Sequence, residues 1–295
     1  MYYNEDTVIY LNGKFIRAAD ARVDLFSQSL HYGYGVFEGI RSYQTQNGVK
    51  IFKAAEHYER LRNSCGLVNI PYHYDTEELI QVTYQVLKRN NLTDAYIRPL
   101  VYCGPNMNLT QPRETFIMIC AWEWGKYLGD KPVRLCISSY QRLNPESIRM
   151  EAKVSGHYVN GILATSEAKS RGFDEALMLD MHGRVAQPPS SNLFIEKDGE
   201  LFTPPHGHIF PGITRATVMS ICKELDIPVT EKMINAEELE RADSAFLCST
   251  GAEIASIESI DAKPFRKEWE ESLGALIQEA YRSQVLEKSF SYVII

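Results

Sequence analysis

Lys153 stands between Ala152 and Val154, directly ahead of Ser155-Gly156, a pair at which the chain can turn into a helix carrying Tyr158, Ile162 and Leu163. A lysine among apolar neighbours can have its amine pKa lowered by desolvation, which is what attack on a carbonyl needs. A surface lysine at the end of a strand fits the same residues. Two further stretches suit anions. In Gly212-Ile213-Thr214-Arg215, small residues and a threonine open a helix whose unpaired N–H groups and dipole favour negative charge, and ordinary N-capping fits equally well. Ser249-Thr250-Gly251 follows an apolar strand as a second nest for phosphate or carboxylate. A lysine and two anion-ready turns in one half of the chain suggest a phosphorylated cofactor with a carbonyl, and pyridoxal phosphate is the leading candidate.

Charged and aromatic residues in the first half add to this. Arg98 lies inside the apolar run Asp94–Gly104, where a charge is expensive unless it is paired, so it meets a carboxylate either in the fold or on a substrate. Arg60 and Arg62 sit on a helical segment; they are either solvated charge or, where one points into a cleft, a phosphate ligand. Glycines at 33, 35 and 39 are interleaved with Tyr32, Tyr34 and Phe37, so that this stretch either walls a pocket or packs aromatic core at a tight bend. The pair His206 and His208 lies in a Pro/Gly-flanked loop, and no metal site is expected there. Nucleophile-elbow, P-loop, dinucleotide-fingerprint and HEXXH patterns do not occur.

The elements that must position these groups are legible from local pattern. Asn12-Gly13, Asn47-Gly48 and Asp198-Gly199 each interrupt alternating runs as hairpin turns. Helical spacing is predicted over Ala54–Leu67, Thr76–Leu92 and from Ile213 onward. The chain has 295 residues, more than one core ordinarily serves, so two domains are expected: a smaller one over 1–125, a polar linker at 126–133, and a larger cofactor-binding one over 134–295. Strands and helices recur in both, giving a mixed α/β or α+β class. The formal net charge of −7 argues against general affinity for nucleic acid or anionic membrane. Six scattered cysteines without CxxC spacing, and a start (MYYNEDTV) without a basic or apolar leader, suit a cytoplasmic protein.

Over nearly its full length the chain resembles the branched-chain amino acid aminotransferases of the fold-type IV pyridoxal-phosphate enzymes, the architecture shared with D-amino acid aminotransferase. The resemblance is carried by HYGYGVFEGIR, EHYERLRNS, AYIRPLVY, AWEWGKYLG, AKVSGHYVNGILATSEAKSRGFDEALMLD, LFTPP, PGITR and STGAEI, in the family's order. It implies Lys153 as the Schiff-base lysine and proton shuttle. Arg60, Ile213, Thr214 and Thr250 become ligands of the cofactor phosphate, and Tyr158 the partner of its phenolic oxygen. Thr250 and Gly251 fall where the family holds the substrate carboxylate, while Tyr32, Phe37, Trp124 and Tyr127 line the apolar substrate pocket. Tyr96 and Arg98 match the pair that admits the distal carboxylate of glutamate. By the same resemblance the amino group moves between leucine, isoleucine or valine and 2-oxoglutarate, the cofactor sits in a cleft between two domains, and the protein is a homodimer.

One stretch departs from the family. Where its members read S-E-G-x-G-E-N-L-F, this chain reads AQPPSSNLF, so that Gln187 replaces the glutamate that pairs with the pyridine nitrogen, and Pro188 and Pro189 stiffen the loop. A neutral amide hydrogen-bonds that nitrogen without contributing charge, so weaker electron withdrawal is expected. Attenuated transamination, a lyase or racemase reaction on the same fold, and a cofactor-binding protein with little catalysis are the readings this leaves.

Overall fold

The computed structural model describes residues 2–125, 127–129 and 131–290. The chain divides into two compact units, Met1–Gly125 with Glu151–His157, and Lys126–Met150 with Tyr158–Ile295. The linear division at 126–133 put Lys153 in the second domain, whereas its segment packs with the first unit. That expected linker also contains Lys126 and Asp130, which lie outside the described residues.

In the first unit, the strands run in the order Lys14–Arg17, Val8–Leu11, Thr115–Glu123, Ala95–Cys103, Ile40–Thr45 and Gly48–Ile51, with Gly35–Phe37 also paired to Ala95–Cys103. Each of these pairings is antiparallel. Asn12 and Gly13, with φ of 49° and 86°, make the left-handed two-residue turn expected between the first two strands. The helices Ala54–Leu67 and Thr76–Arg89 cover one face of the sheet, burying Tyr58, Leu61, Leu79, Val82 and Val86 against Ile97, Val101, Ile117 and Ile119. The second helix begins where Asp75 accepts the Glu78 N–H at 2.9 Å, and its buried positions 79, 82, 83, 86 and 87 follow the helical period.

Alternation along a strand sends odd positions of Ala95–Cys103 toward this core and even positions to the other face. Tyr96 and Arg98 therefore share that face by geometry alone. Register adds Phe37, opposite Leu100, and Trp122, opposite Tyr96. Glu151–His157 returns to this unit, ending in the 3-10 turn Ser155–His157. Val154 bridges to Val36, and the Lys153 carbonyl accepts the Phe37 N–H at 3.1 Å.

In the second unit the order is Val185–Gln187, Glu175–Leu179, Val133–Ile137, Glu253–Ile260, Ser244–Ser249, Asn192–Lys197, Glu200–Thr203 and Val229–Glu231, with Lys263–Pro264 paired to Glu253–Ile260. This sheet is mixed. The parallel pair Glu200–Thr203 and Val229–Glu231 is connected through the helix Ile213–Glu224, as such a crossover requires. No helix among the described residues is long and apolar enough to cross a membrane.

Candidate active site

Within the first unit, Lys153 is fixed through its backbone: its N–H donates to Ser64 Oγ at 3.1 Å and its flanking residues Ala152 and Val154 belong to the core. The half-buried side chain places Nζ 5.0 Å from the centre of the Phe37 ring. The same ring carries the Arg98 guanidinium at 4.5 Å, and Arg98 also faces Tyr96 at 5.3 Å and Trp122 at 5.9 Å. Tyr96 packs edge-on against Trp124, with centroids 4.8 Å apart. Phe37, Tyr96, Arg98, Trp124 and Lys153 thus form one aromatic wall bearing a guanidinium and an amine.

Arg98 donates from Nη2 to the Tyr96 hydroxyl at 3.3 Å, while its buried Nε has no acceptor among the described residues. No carboxylate pairs with it there, so of the two partners anticipated for a charge in an apolar strand, the one within the unit is absent. Gly39 makes room for this arrangement. A Cβ at that position would lie 1.9 Å from the Tyr96 hydroxyl oxygen.

A second cluster adjoins this one. Glu38, fully buried, receives Arg60 Nε on Oε1 at 2.7 Å and Arg60 Nη2 on Oε2 at 2.9 Å, and Oε2 also meets His57 Nδ1 at 2.7 Å. Burial acts to raise the Glu38 pKa, but Arg60 and then His57 outweigh it and hold the carboxyl far below its ordinary value. For His57, burial prevails over the carboxylate and pushes the imidazole pKa down. We therefore assign a Glu38 carboxylate, a charged Arg60 and a neutral His57 donating Nδ1–H. Arg60, on the helix Ala54–Leu67, is thereby held rigidly as a cation. Glu38 and His57 escaped the sequence reading; a glutamate inside the apolar run around Val36 and Ile40 was the available signal.

Within the second unit, three loops come together. Asn192 pairs with Cys248 across adjacent strands, two residues ahead of Thr250. The Asn192 amide donates to the Phe210 carbonyl at 3.0 Å, three residues ahead of Ile213. A Cβ on Gly212 would lie 2.1 Å from Asn192 Oδ1, so only glycine fits where these strands meet the helix start. Gln187 Oε1 accepts the Phe210 N–H at 2.6 Å. Gln187, Ile213, Thr214, Thr250 and Gly251 are in this way assembled around one spot, and Tyr127 joins them through its N–H to the Gly251 carbonyl at 3.0 Å.

The helix Ile213–Glu224 has glycine at its N-cap and no side-chain capping bond, leaving its first-turn N–H groups for an outside acceptor beside the buried Thr214. Tyr158 opens the helix Tyr158–Ser170. Burial lowers the Arg142 pKa, and the nearby Tyr158 acts against that shift. His206 faces Arg215 at 3.2 Å and His208 faces Asp180 at 3.5 Å.

Tyr32 stands apart from the aromatic wall. It is 44% exposed and its hydroxyl donates to the Met107 carbonyl at 3.0 Å; Leu25, Phe26 and Leu30 are exposed as well.

The amine and rigid guanidinium of the first unit, and separately the uncapped helix start and threonine hydroxyls of the second, are donor types suited to an aldehyde that carries a phosphate. Residues 35–260 match the amino-transferase class IV family. The branched-chain-amino-acid aminotransferase of Salmonella typhimurium is 40% identical over 261 residues, covering 86% of this chain and 84% of that one. Among solved structures, the branched-chain amino acid aminotransferase of Escherichia coli superposes with a TM-score of 0.93 at 36% identity, over 97% of this chain and 96% of that one. A T.th. branched-chain amino acid aminotransferase complexed with N-(5'-phosphopyridoxyl)-L-glutamate gives 0.91 at 35% identity, over 96% and 95%. With the lysine, the uncapped helix start and the aromatic wall all present within the matched span, the chain belongs to the class IV aminotransferases.

Proposed function

We propose that this protein is a pyridoxal 5'-phosphate-dependent branched-chain amino acid aminotransferase, moving the amino group between leucine, isoleucine or valine and 2-oxoglutarate. The observation that carries the reading is Arg98: a cation set in an aromatic wall, with a buried Nε lacking any acceptor among the described residues. Such a wall takes an apolar side chain against Phe37, Tyr96 and Trp124, and takes the distal carboxylate of glutamate on the guanidinium. The T.th. relative was crystallised with a phosphopyridoxyl conjugate of glutamate, which supports that choice of second substrate.

Pyridoxal 5'-phosphate, when bound, supplies the aldehyde that carries the amino group and a ring that withdraws electrons from the substrate α-carbon. Lys153 supplies the amine that anchors the cofactor and moves the proton at the α-carbon. Arg60 holds the phosphate as a fixed cation backed by Glu38, and Ile213, Thr214 and Thr250 offer it N–H and hydroxyl donors. Tyr158 donates to the phenolic oxygen. Thr250 and Gly251 orient the substrate α-carboxylate, and Tyr127, tied to Gly251, borders the apolar pocket.

A homodimer in the cytoplasm is part of this proposal. The exposed Leu25, Phe26, Leu30, Tyr32, Met107 and Leu109 offer apolar surface to a second copy. All six cysteines are unpaired in the structure, in keeping with a reducing compartment.

The test is a single-turnover absorption experiment on the cofactor-loaded protein across a panel of amino acids. Leucine, isoleucine, valine and glutamate are expected to shift the cofactor band, and 2-oxoglutarate to restore it. A band that no amino acid shifts would exclude an aminotransferase.

A further inference from the structure

Gln187 is buried to 2% exposure and both ends of its carboxamide are engaged. Oε1 accepts the Phe210 N–H at 2.6 Å, and Nε2 donates to the Pro188 carbonyl at 3.2 Å. These two partners fix which way the amide points, because a backbone N–H must face the oxygen and a backbone carbonyl must face the nitrogen. A carboxylate could accept the first bond, but it would set a negative oxygen against the Pro188 carbonyl where the second bond now lies. The Pro188-Pro189 loop is therefore built around an amide. The bond to Phe210 also ties Gln187 to the segment leading into the anion-binding helix Ile213–Glu224.

We infer that Gln187 acts as a neutral N–H donor that keeps the ring nitrogen of bound pyridoxal 5'-phosphate unprotonated. The inference rests on the proposed function above and on the family resemblance, which sets position 187 against that nitrogen. The amide has one N–H and one lone pair left after its two bonds, and it brings no charge. Gln187 itself offers a ring N–H⁺ no counter-charge, whereas a free-base nitrogen accepts the remaining N–H. Gln187 thereby weakens the ring's electron withdrawal, and Lys153 and the substrate-orienting groups carry a larger share of the rate enhancement.

The experiment is nitrogen-15 NMR of the holoenzyme reconstituted with ring-¹⁵N-labelled pyridoxal 5'-phosphate at pH 7. A resonance at the free-base pyridine position is expected. A resonance at the pyridinium position overturns the inference and leaves the aminotransferase reading standing. Protein that retains no label after gel filtration overturns both. In Gln187→Glu the resonance is expected to move to the pyridinium position, and a free-base signal there would remove Gln187 as the nitrogen's partner. The wild-type spectrum decides alone if that variant does not fold.

Discussion

Replacing Glu38 by glutamine tests whether the buried carboxylate is what fixes Arg60. Glu38 Oε1 faces Arg60 Nε, while Oε2 faces Arg60 Nη2, His57 Nδ1 and, at 3.2 Å, the Gly39 N–H. Whichever way a glutamine turns, its NH₂ replaces an oxygen that now faces donors. Arg60, whose side chain is only 14% exposed, then loses its counter-charge. Breaking a buried pair from one side costs about 3–5 kcal/mol. His57 can partly compensate by changing tautomer and Arg60 keeps some access to water, so we expect the lower end, about 3 kcal/mol or roughly a hundredfold in the unfolding equilibrium. Urea denaturation at pH 7 measures it.

The pH dependence adds a second signature. The folded carboxyl holds its proton less tightly than the unfolded one, so its stabilisation is complete above the ordinary value of 4.5 and drains away as pH falls below it. The acid side of the wild-type stability profile is therefore steeper than that of Glu38→Gln. A variant within about 0.5 kcal/mol of wild type, with the same acid limb, would refute the assignment of Glu38 as the group that holds Arg60.

Three further outcomes are expected. Arg98→Met should slow the half-reaction with glutamate by about thirtyfold, from the loss of a charge-assisted hydrogen bond of about 2 kcal/mol, and spare that with leucine; equal losses in single-turnover assays would show that Arg98 does not sort the substrates. Burial raises the Glu175 pKa against bonds from the Ala176 N–H and the Thr165 hydroxyl, so stability it contributes in acid is lost as pH rises through the folded value. Glu175→Gln should accordingly gain on wild type from acid toward neutral pH, and a pH-independent difference in denaturation midpoints would contradict this. Glu196 receives Lys267 Nζ at 2.5 Å and the Leu273 N–H at 2.8 Å, at the start of the helix Leu273–Val285. Glu196→Ala should cost about 2–3 kcal/mol, lowering Tm by roughly 5 °C in a thermal melt, and an unchanged Tm would show that this cap is not needed.

The parts of the fold that depend on local chemistry were legible in the sequence. Asn12-Gly13 and Asp198-Gly199 adopt the positive φ values their hairpins require, because few other residues tolerate them. The apolar period of Ala54–Leu67 and Thr76–Arg89 gave two helices, since a 3.6-residue repeat can bury one face in no other way. Tyr96 and Arg98, two apart on a strand, were bound to share a face. The words around Lys153, Ile213 and Thr250 carried the family.

Partners distant in sequence were decided only by tertiary structure. No local pattern says that Lys153 returns across the chain to pair with Phe37, that Glu38 is the fully buried counter-ion of Arg60, or that Tyr32 lies on an exposed face. Gln187 shows the difference most directly. Its sequence position marked a missing carboxylate, and the fold supplies the reason an amide stands there: one neighbour, Phe210, presents an N–H and the other, Pro188, a carbonyl. Hydrogen-bond polarity at a buried position is set by whichever backbone the fold brings to it, and only the folded chain contains that information.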